Sequence, residues 1–220
     1  MMGLVEDIST FGPEVDLMFL VVLIVTGVAF FLVEGVLIYF LIRYRHREGH
    51  RAMYTHGNRR IEILWTIVPG IMLFALAIYQ YGAWTRIKID RPDESEAVVM
   101  QVMSNQFEWF ATYPGPDGQL DSDDDIKAPI NIIHVPVNQP VVIRLGSEDV
   151  LHSFFVPALR LKQDAIPGTL IRVWFQATKP GEYEIVCAEL CGLGHYRMRG
   201  HLVVESETDF QTWLAEMGAR

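Results

Sequence analysis

The residues most able to do chemistry in this 220-residue chain lie in one short segment near its end. Cys187, Cys191, His195 and Met198 fall within a dozen positions, and the chain contains no other cysteine. Two thiolates, an imidazole and a thioether form a soft ligand set that suits copper in electron transfer. Zinc suits it less, because zinc rarely uses methionine and prefers tetrahedral sites of cysteine and histidine. The segment therefore predicts a copper centre.

A further ligand must come from elsewhere in the chain, and His152 is the candidate. It lies in the segment SEDVLHSFFVP, residues 147–157, where a predicted strand meets a loop. Each residue alone has a simpler interpretation. Two cysteines in an exported domain usually form a disulfide, a single histidine is most often a satisfied core residue, and a single methionine fills a core. Their combination, in this order and spacing, favours the metal.

The elements that would position these residues are short and rich in β-branched side chains. Residues 85 to about 205 contain apolar segments separated by turn signals, including Pro-Gly pairs at 167–168 and 180–181, and this arrangement predicts an antiparallel sandwich or barrel. The predicted strands are 97–104, 129–137, 140–146, 169–177, 181–187 and 200–205. The last residues predict a helix capped by Ser206, with Asp209 three positions on. Its apolar stripe consists of Phe210, Trp213 and Leu214.

Two long apolar segments precede this region, at residues 17–42 and 63–84. The first would form roughly 39 Å of helix, enough to cross a bilayer core of about 30 Å. Buried core helices are the alternative, but such helices are rarely apolar all round over this length. The preceding residues, 1–16, are acidic rather than basic, which is not typical of a cleavable signal peptide.

The loop between the two spans, residues 43–60, fixes the predicted orientation. It carries a single acid, Glu48, against six arginines: Arg43, Arg45, Arg47, Arg51, Arg59 and Arg60. Such a loop belongs in the cytoplasm by the positive-inside rule. The sequence thus predicts an outer-face segment 1–16, a transmembrane hairpin 17–84 and an outer-face domain 85–220.

The charge of the chain excludes one class of partner and suggests another. A formal net charge of −9, with no basic face outside the loop, argues against nucleic acid. The outer domain has 20 acidic and 12 basic side chains. An acidic cluster in this domain is either a solvated surface or a docking region whose charge steers a basic protein towards it. The cluster consists of Asp121, Asp123, Asp124 and Asp125.

Three motifs, SEDVLHSFFVP, LKQDAIPG and VCAELCGLGHYRM, resemble subunit II of the haem–copper cytochrome c oxidases, and the resemblance covers nearly the whole chain. It implies a two-helix anchor in a bacterial-type cell inner membrane, with both termini on the periplasmic face. It also implies a cupredoxin-like Greek-key barrel holding a dinuclear copper centre, CuA. That centre would take single electrons from a cytochrome c-type donor and pass them to haem in subunit I of an oxygen-reducing, proton-translocating complex.

The same resemblance assigns the copper ligands, with two thiolates shared by both ions so that the odd electron is delocalised. The implied ligands are Cys187 and Cys191 as bridges, His152 and Met198 on one ion, and His195 and the backbone carbonyl of Glu189 on the other. The carboxylate of Glu189 would bind a magnesium ion shared with subunit I, which suits a hard cation. The chain has no Cys-x-x-Cys-His motif, so no covalent haem is expected on it.

The resemblance also identifies an aromatic strand at which electrons would arrive. The family usually has Gln-Trp-x-Trp here, whereas this chain has Gln106, Phe107, Glu108 and Trp109. Glu148 and Asp149 would lie in the docking face together with Phe107 and Trp109. The replacement by Phe107 suggests a membrane-anchored or complex-bound cytochrome rather than the usual mobile donor. The alternative is that these rings form only the aromatic core of the domain.

Two acids within or beside the spans have open roles. Glu62 begins the second span and resembles the family's segment at the entrance of a proton pathway into subunit I; an interfacial carboxylate is the alternative. Glu34 lies inside the first span, where a charge costs roughly 2.5–3.5 kcal/mol on insertion scales. It is therefore expected to face another subunit, find a polar partner or be protonated.

Three other functions compete with the oxidase interpretation. A quinol-oxidase subunit II would lack the copper ligands that this chain retains. A membrane-tethered copper chaperone or thiol oxidoreductase would need a thioredoxin-like βαβ arrangement around its cysteines. Nitrous-oxide reductase shares the copper motif but needs a much longer soluble chain.

Overall fold

The computed structural model describes residues 5–51 and 53–219. Residues 1–4 of the predicted outer-face segment, Ala52 of the predicted cytoplasmic loop and Arg220 of the predicted outer domain lie outside the described residues. The chain divides into two compact units, one made of the residues up to Pro13 together with those from Arg86 onward, the other of Glu14–Thr85.

The second unit contains most of two long helices, α1 (Gly12–Arg43) and α2 (Arg59–Lys88). At 1.5 Å per residue their 32 and 30 residues extend roughly 48 and 45 Å. Both are long and apolar enough to cross a membrane, judged by length and composition. They contain the predicted spans and continue beyond them into polar turns. Asn58 caps α2, because its side-chain oxygen accepts the backbone N–H of Arg60 at 3.1 Å.

The first unit contains a β-domain of two five-stranded sheets, in the orders β3-β2-β1-β5-β8 and β4-β10-β9-β6-β7. The strands are β1 Val98–Asn105, β2 Glu108–Tyr113, β3 Ile126–Lys127, β4 Ile132–Pro136, β5 Pro140–Ser147, β6 His152–Val156, β7 Leu161–Ala165, β8 Ile171–Gln176, β9 Gly181–Cys187 and β10 Arg199–Glu205. The β1/β5 and β4/β10 pairs are parallel, so the antiparallel expectation was wrong for these pairs. Two strands become parallel neighbours when the chain forms other elements between them before it comes back to the same sheet. Turn residues alone do not indicate such a connection.

The core of this domain follows from the alternation of side chains along its strands. In β1 every second residue from Met100 is buried, as expected for a strand with one face on the core. Trp109, Phe154 and Phe175 are fully buried, and the rings of Trp109 and Phe154 meet edge to face with centroids 5.4 Å apart. Each of these large rings buries roughly 150–250 Å² of apolar surface, so they form the centre of the core.

A third helix, α3 (Glu207–Gly218), closes the domain as predicted. Ser206 caps it by accepting the backbone N–H of Asp209 at 3.2 Å. The ring of Trp213 stacks on His134 with centroids 4.1 Å apart, and Phe210 is buried. The helix is therefore a structural element that packs on β3 and β4, the edge strands of the two sheets.

The segment before α1 packs on the β-domain, which the sequence did not predict. Ile8 is fully buried and donates its N–H to the carbonyl of Ala158 at 2.9 Å, while its own carbonyl accepts the N–H of Thr178 at 2.7 Å. Phe11 packs edge-on against Trp174, with centroids 5.7 Å apart. The residues entering α1 and those leaving α2 thus belong to one unit.

We expect Phe11→Ala to lower the free energy of unfolding of the β-domain by up to about 3 kcal/mol, because it removes a buried ring and leaves a cavity against Trp174. Urea unfolding of the detergent-solubilised chain, followed by tryptophan fluorescence, measures the change. Val5→Ala is the control, since Val5 is 57% exposed. Equal stability of the two variants would contradict the packing role of this segment.

Candidate metal centre

The predicted ligands meet at one end of the two sheets. His152 is the first residue of β6 and Cys187 the last residue of β9, and these antiparallel strands bring the two ends together. Cys191, His195 and Met198 lie in residues 188–198, which connect β9 to β10 and are called the ligand loop below. Because β9 and β10 are antiparallel neighbours, the loop that joins them lies at the end of the sheet where Cys187 is found.

The sulfur atoms form the centre of the cluster. Both cysteines are free thiols, with their Sγ atoms 3.8 Å apart, far beyond the length of about 2.05 Å in a disulfide. The Sδ atom of Met198 lies 3.8 Å from Sγ of Cys191. All three side chains are buried. The disulfide alternative is therefore wrong for this structure.

Nitrogen and oxygen atoms surround the sulfurs. Nδ1 of His152 lies 3.9 Å from Sγ of Cys187 and 3.2 Å from Sδ of Met198. Nδ1 of His195 lies 3.6 Å from Sγ of Cys191, and the backbone carbonyl oxygen of Glu189 lies 3.2 Å from Sγ of Cys187. The ligand atoms of His152, Cys187 and Cys191 lie within 4.8 Å of one another, close enough to hold a metal ion. The structure thus brings together all six groups that the sequence singled out.

Asp149 orients the imidazole of His152. Its Oδ1 lies 2.8 Å from Nε2 of His152, and its carboxylate also accepts the backbone N–H groups of Gln106 at 2.8 Å and Val150 at 2.6 Å. Burial of the Asp149 carboxyl acts to raise its pKa, but the hydrogen bonds from His152 and the two amides outweigh it, so the pKa is lowered. A charged Asp149 fixes the proton of His152 on Nε2 and leaves Nδ1 for the cluster.

The thiols sit in an environment that disfavours two bare negative charges. Burial, followed by the charge of neighbouring Cys187, raises the pKa of Cys191 to about 12. At neutral pH the thiol of Cys191 therefore carries a proton unless a cation takes its place. A soft metal ion would do so, because metal binding and thiol deprotonation are linked.

The hairpin between β1 and β2 packs against the ligand loop. The side-chain amide of Gln106 donates a hydrogen bond to the carbonyl of Cys191. The ring of Phe107 lies against Gly192 and Gly194: a Cβ on Gly194 would overlap that ring, and one on Gly192 would lie 3.3 Å from it. Gly192 also has φ +136°, which favours glycine. Arg197 places its guanidinium 5.8 Å from the centroid of the Phe107 ring.

The other predicted site residues occupy four different environments. Trp109 is fully buried, with its ring 6.2 Å from that of His152, so it lies beneath the cluster and not on the surface. Glu148 is exposed beside Asp149. The carboxylate of Glu189 pairs with Lys162 at 2.9 Å, whereas its carbonyl faces the thiol of Cys187. Glu62 lies in the first turn of α2, in the other unit.

Four contacts of the cluster were missed from the sequence: those of Gln106, Lys162 and Arg197, and the bond between Asp149 and His152. An acid three residues before a ligating histidine could have indicated the last of these. The other three join residues far apart in the chain, for which the sequence offers no local signal.

A pair of helices able to span a membrane, followed by a two-sheet β-domain with a thiol–imidazole–thioether cluster at one end, defines a membrane-anchored protein with a candidate metal centre. Family comparison gives the particular assignment. Residues 4–82 match the model for the transmembrane domain of cytochrome c oxidase subunit II, and residues 100–206 match the model for its periplasmic domain.

Individual relatives agree with these matches. The chain is 30% identical to the alternative cytochrome c oxidase subunit 2 of Bradyrhizobium diazoefficiens, over 87% of this chain and 76% of the relative. It is 32% identical to cytochrome c oxidase subunit 2 of Thermostichus vulcanus, over 94% and 76% of the two chains. The crystal structure of the periplasmic domain of subunit II from Bradyrhizobium japonicum superposes with a TM-score of 0.50 at 27% identity, covering 58% of this chain and 96% of that one.

The chain belongs to the cytochrome c oxidase subunit II family, and its β-domain has the cupredoxin-like fold of that family. It is accordingly a membrane-anchored subunit of a haem–copper oxidase, with a role in electron transfer within that enzyme. The resemblance identified from the three sequence motifs is confirmed.

We expect Gly194→Ala to weaken metal retention, because the added methyl group overlaps the ring of Phe107 and must displace the ligand loop; overpacking of this kind costs about 1–3 kcal/mol. Adding Phe107→Ala in the same chain should restore retention by removing the obstacle. Copper release to a chelator measures the effect, with Phe107→Ala alone as the control. Additive losses in the double variant would contradict the contact.

Proposed function

We propose that the cluster is a dinuclear copper centre of the CuA type, which accepts one electron at a time on the outer face of the membrane and passes it to haem in subunit I. The observation that carries this proposal is the convergence of two free, adjacent thiols with two imidazole Nδ1 atoms, a thioether and a carbonyl. The donor set is soft and mixed, as copper in electron transfer requires.

The residues of this chain have distinct tasks in that centre. Cys187 and Cys191 would bridge both ions, His152 and Met198 would bind one, and His195 and the carbonyl of Glu189 the other. The copper pair supplies a single-electron couple. The chain keeps the ligands in place. Asp149 holds His152, and Cys187 is fixed at the end of β9. Gln106 holds the ligand loop at Cys191. Ligands that move little when the charge changes keep the reorganisation energy small. A site with this task needs neither a general base nor a nucleophile.

The donor in this proposal is a c-type cytochrome, and the oxygen chemistry belongs to subunit I. Phe107 stands where the family usually has tryptophan, and it packs on the ligand loop. Glu148 and Asp149 lie next to the same hairpin. These features support a donor held close to the oxidase, either anchored in the membrane or bound to the complex. Trp109, which is buried beneath His152, would lie on the path of electron transfer.

The proposed location is a bacterial-type inner membrane, with both chain termini in the periplasm. The packing of Ile8 and Phe11 on the β-domain supports a common side for the two ends of the helical hairpin. The arginines of the 43–60 loop support a cytoplasmic location for the turn between the helices. Subunit I, the other oxidase subunits and the lipid bilayer are then the partners of the two helices.

Glu189 has a second proposed task, binding magnesium at the boundary with subunit I. Its carboxylate points away from the thiols to Lys162, and Lys162 also lies 3.4 Å from Asp164. Hydrogen bonding by Glu189 and then by Asp164 raises the pKa of Lys162. A cation supplied at the subunit boundary would take the place of the ammonium group. Glu62 at the start of α2 is likewise proposed as the entrance of a proton pathway into subunit I.

The optical and electron paramagnetic resonance (EPR) spectra of the protein with added copper test the dinuclear centre. We expect a purple, mixed-valence signal with the unpaired electron shared by two copper nuclei. Cys191→Ser should abolish that signal, because it removes one bridge, whereas Ser153→Ala, one position from His152 but outside the ligand set, should retain it. A colourless or mononuclear blue centre in the parental protein would overturn the proposal.

Glu189→Gln separates the two metal tasks of this residue. The backbone carbonyl remains, so the CuA signal should persist, while the loss of charge should weaken the magnesium site at least about tenfold. Manganese substituted for magnesium in the purified oxidase provides an EPR probe of that site. Lys162→Gln serves as the matched control, since it removes the partner of Glu189 but no carboxylate. Unchanged manganese binding in Glu189→Gln would refute the magnesium assignment.

A further inference from the structure

Strand β8 contacts both chain segments that connect the β-domain to the two long helices. Residues 5–13, which lead into α1, are called the entry segment below, and residues 86–97, which lead from the last turn of α2 to β1, the exit segment. Val173 and Phe175 of β8 are buried in the core. Because side chains alternate along a strand, Trp174 lies on the opposite, outer face of the sheet.

The entry segment is held by the edge and the outer face of β8. This strand is at the edge of its sheet, next to β5, so backbone groups on its other side are available to another segment. The backbone N–H of Thr10 donates to the carbonyl of Gln176 at 3.2 Å. The buried ring of Phe11 packs edge-on against Trp174, with centroids 5.7 Å apart. A backbone hydrogen bond and an aromatic contact thus fix the chain where α1 begins.

The exit segment is held by the same outer face. The indole N–H of Trp174 donates to the backbone carbonyl of Ile87 at 3.1 Å. Ile87 lies in the last turn of α2, where carbonyl groups have no partner within the helix. Farther along, Nη1 of Arg91 donates to the carbonyl of Arg172 at 3.4 Å, and the carboxylate of Glu94 lies 3.2 Å from Nε of Arg172. Three polar contacts therefore tie the exit segment to β8.

Trp174 is the side chain that the two sets of contacts share. Its apolar ring packs on Phe11, and its N–H group bonds to Ile87. An indole can do both at once because it combines a large apolar surface with one polar donor. One residue therefore links the beginning of α1 to the end of α2, although the whole helical hairpin separates them in the chain.

This link matters because of the task proposed for the metal centre. The centre belongs to the β-domain, whereas the haem that would accept its electron belongs to another chain. Electron transfer between two centres that do not touch slows steeply as their separation grows. Compact units joined by short segments move relative to each other unless contacts restrain them, so the connections of the β-domain affect that separation.

We propose that Trp174 is a positioning residue for electron transfer from the copper centre to subunit I. By holding the entry and exit segments together on β8, it restrains the β-domain and keeps the copper centre at a fixed distance from the accepting haem. The proposal rests on the proposed CuA function and adds a residue that positions that site. Trp174 is not among the candidate ligands and acts through the two segments.

Flash photoreduction of the copper centre in the complete purified oxidase tests this role. A soluble ruthenium complex injects one electron, and the reoxidation of copper and the reduction of haem are followed optically. Trp174→Phe keeps an aromatic ring for Phe11 but removes the donor for Ile87, and Trp174→Ala removes both contacts. Val173→Ala is the matched control, because it weakens the core from the same strand without touching either segment.

We expect Trp174→Ala to slow electron transfer from copper to haem about tenfold, which is less than the roughly hundredfold loss that a misplacement of about 1 Å can cause between reacting groups. Trp174→Phe should slow it severalfold, and Val173→Ala should leave it unchanged. Pulsed EPR between the copper centre and the haem should show a broader distance distribution in Trp174→Ala than in the parental oxidase. Both alanine variants should be less stable towards urea, so loss of stability alone does not account for the difference.

Amide hydrogen exchange in the copper-free chain examines the same contacts without the metal. Trp174→Ala should accelerate exchange at the N–H of Thr10 and at the N–H groups in the last turn of α2, because both segments lose a restraint. Val173→Ala should accelerate exchange within the strands of the core instead.

The outcomes separate the positioning role from the copper function. An unchanged rate in Trp174→Ala with an intact mixed-valence EPR signal would overturn the positioning role, as would equal slowing in Val173→Ala or unchanged exchange in the two segments. If Trp174→Ala does not assemble into the oxidase, Trp174→Phe decides, and an unchanged rate in that variant overturns the role. Absence of the mixed-valence signal from the parental oxidase would instead overturn the copper function.

Discussion

The metal-centre end of the β-domain depends on holding two cysteine thiols side by side in a buried place without joining them. At 3.8 Å the Sγ atoms of Cys187 and Cys191 are too far apart for a disulfide and too close for two uncompensated thiolates. The negative charges of such a pair must therefore be neutralised by protons or by soft cations. The loop, the strand ends and the neighbouring hairpin all serve to maintain this separation.

That constraint explains why two of the candidate ligands lie at the ends of paired strands. Strand β9 fixes Cys187 and strand β6 fixes His152, and their pairing sets the distance between the two. The other candidate ligands are on the ligand loop. A loop keeps its ligands in position around a metal only if neighbouring residues hold it. Gln106 and Phe107 do so from the opposite sheet, with a hydrogen bond to the carbonyl of Cys191 and a ring under two glycines.

Electrostatics acts at two separate scales in this domain. Close to the cluster, single groups with defined partners decide the geometry, as Asp149 does for His152 and Lys162 for the carboxylate of Glu189. Farther away, the surplus of acidic side chains in residues 85–220 produces a diffuse field that salt screens. The two distance ranges have different effects: a metal ligand needs a fixed neighbouring group, whereas an approaching protein responds to the summed charge.

The sequence by itself predicted the two apolar helices, the succession of short strands, the C-terminal helix and, with the family resemblance, the six groups proposed to bind copper. Periodicity, turn residues and ligand chemistry are local properties, so they can be recognised from neighbouring residues in the chain. Only the tertiary structure decided that the thiols stay apart, that Ile8 packs on the β-domain and that Phe107 lies under Gly194. The contacts of Ile8 and Phe107 join residues far apart in the chain, and the distance between the two thiols depends on how the ligand loop is held, so no single segment carries a signature of them.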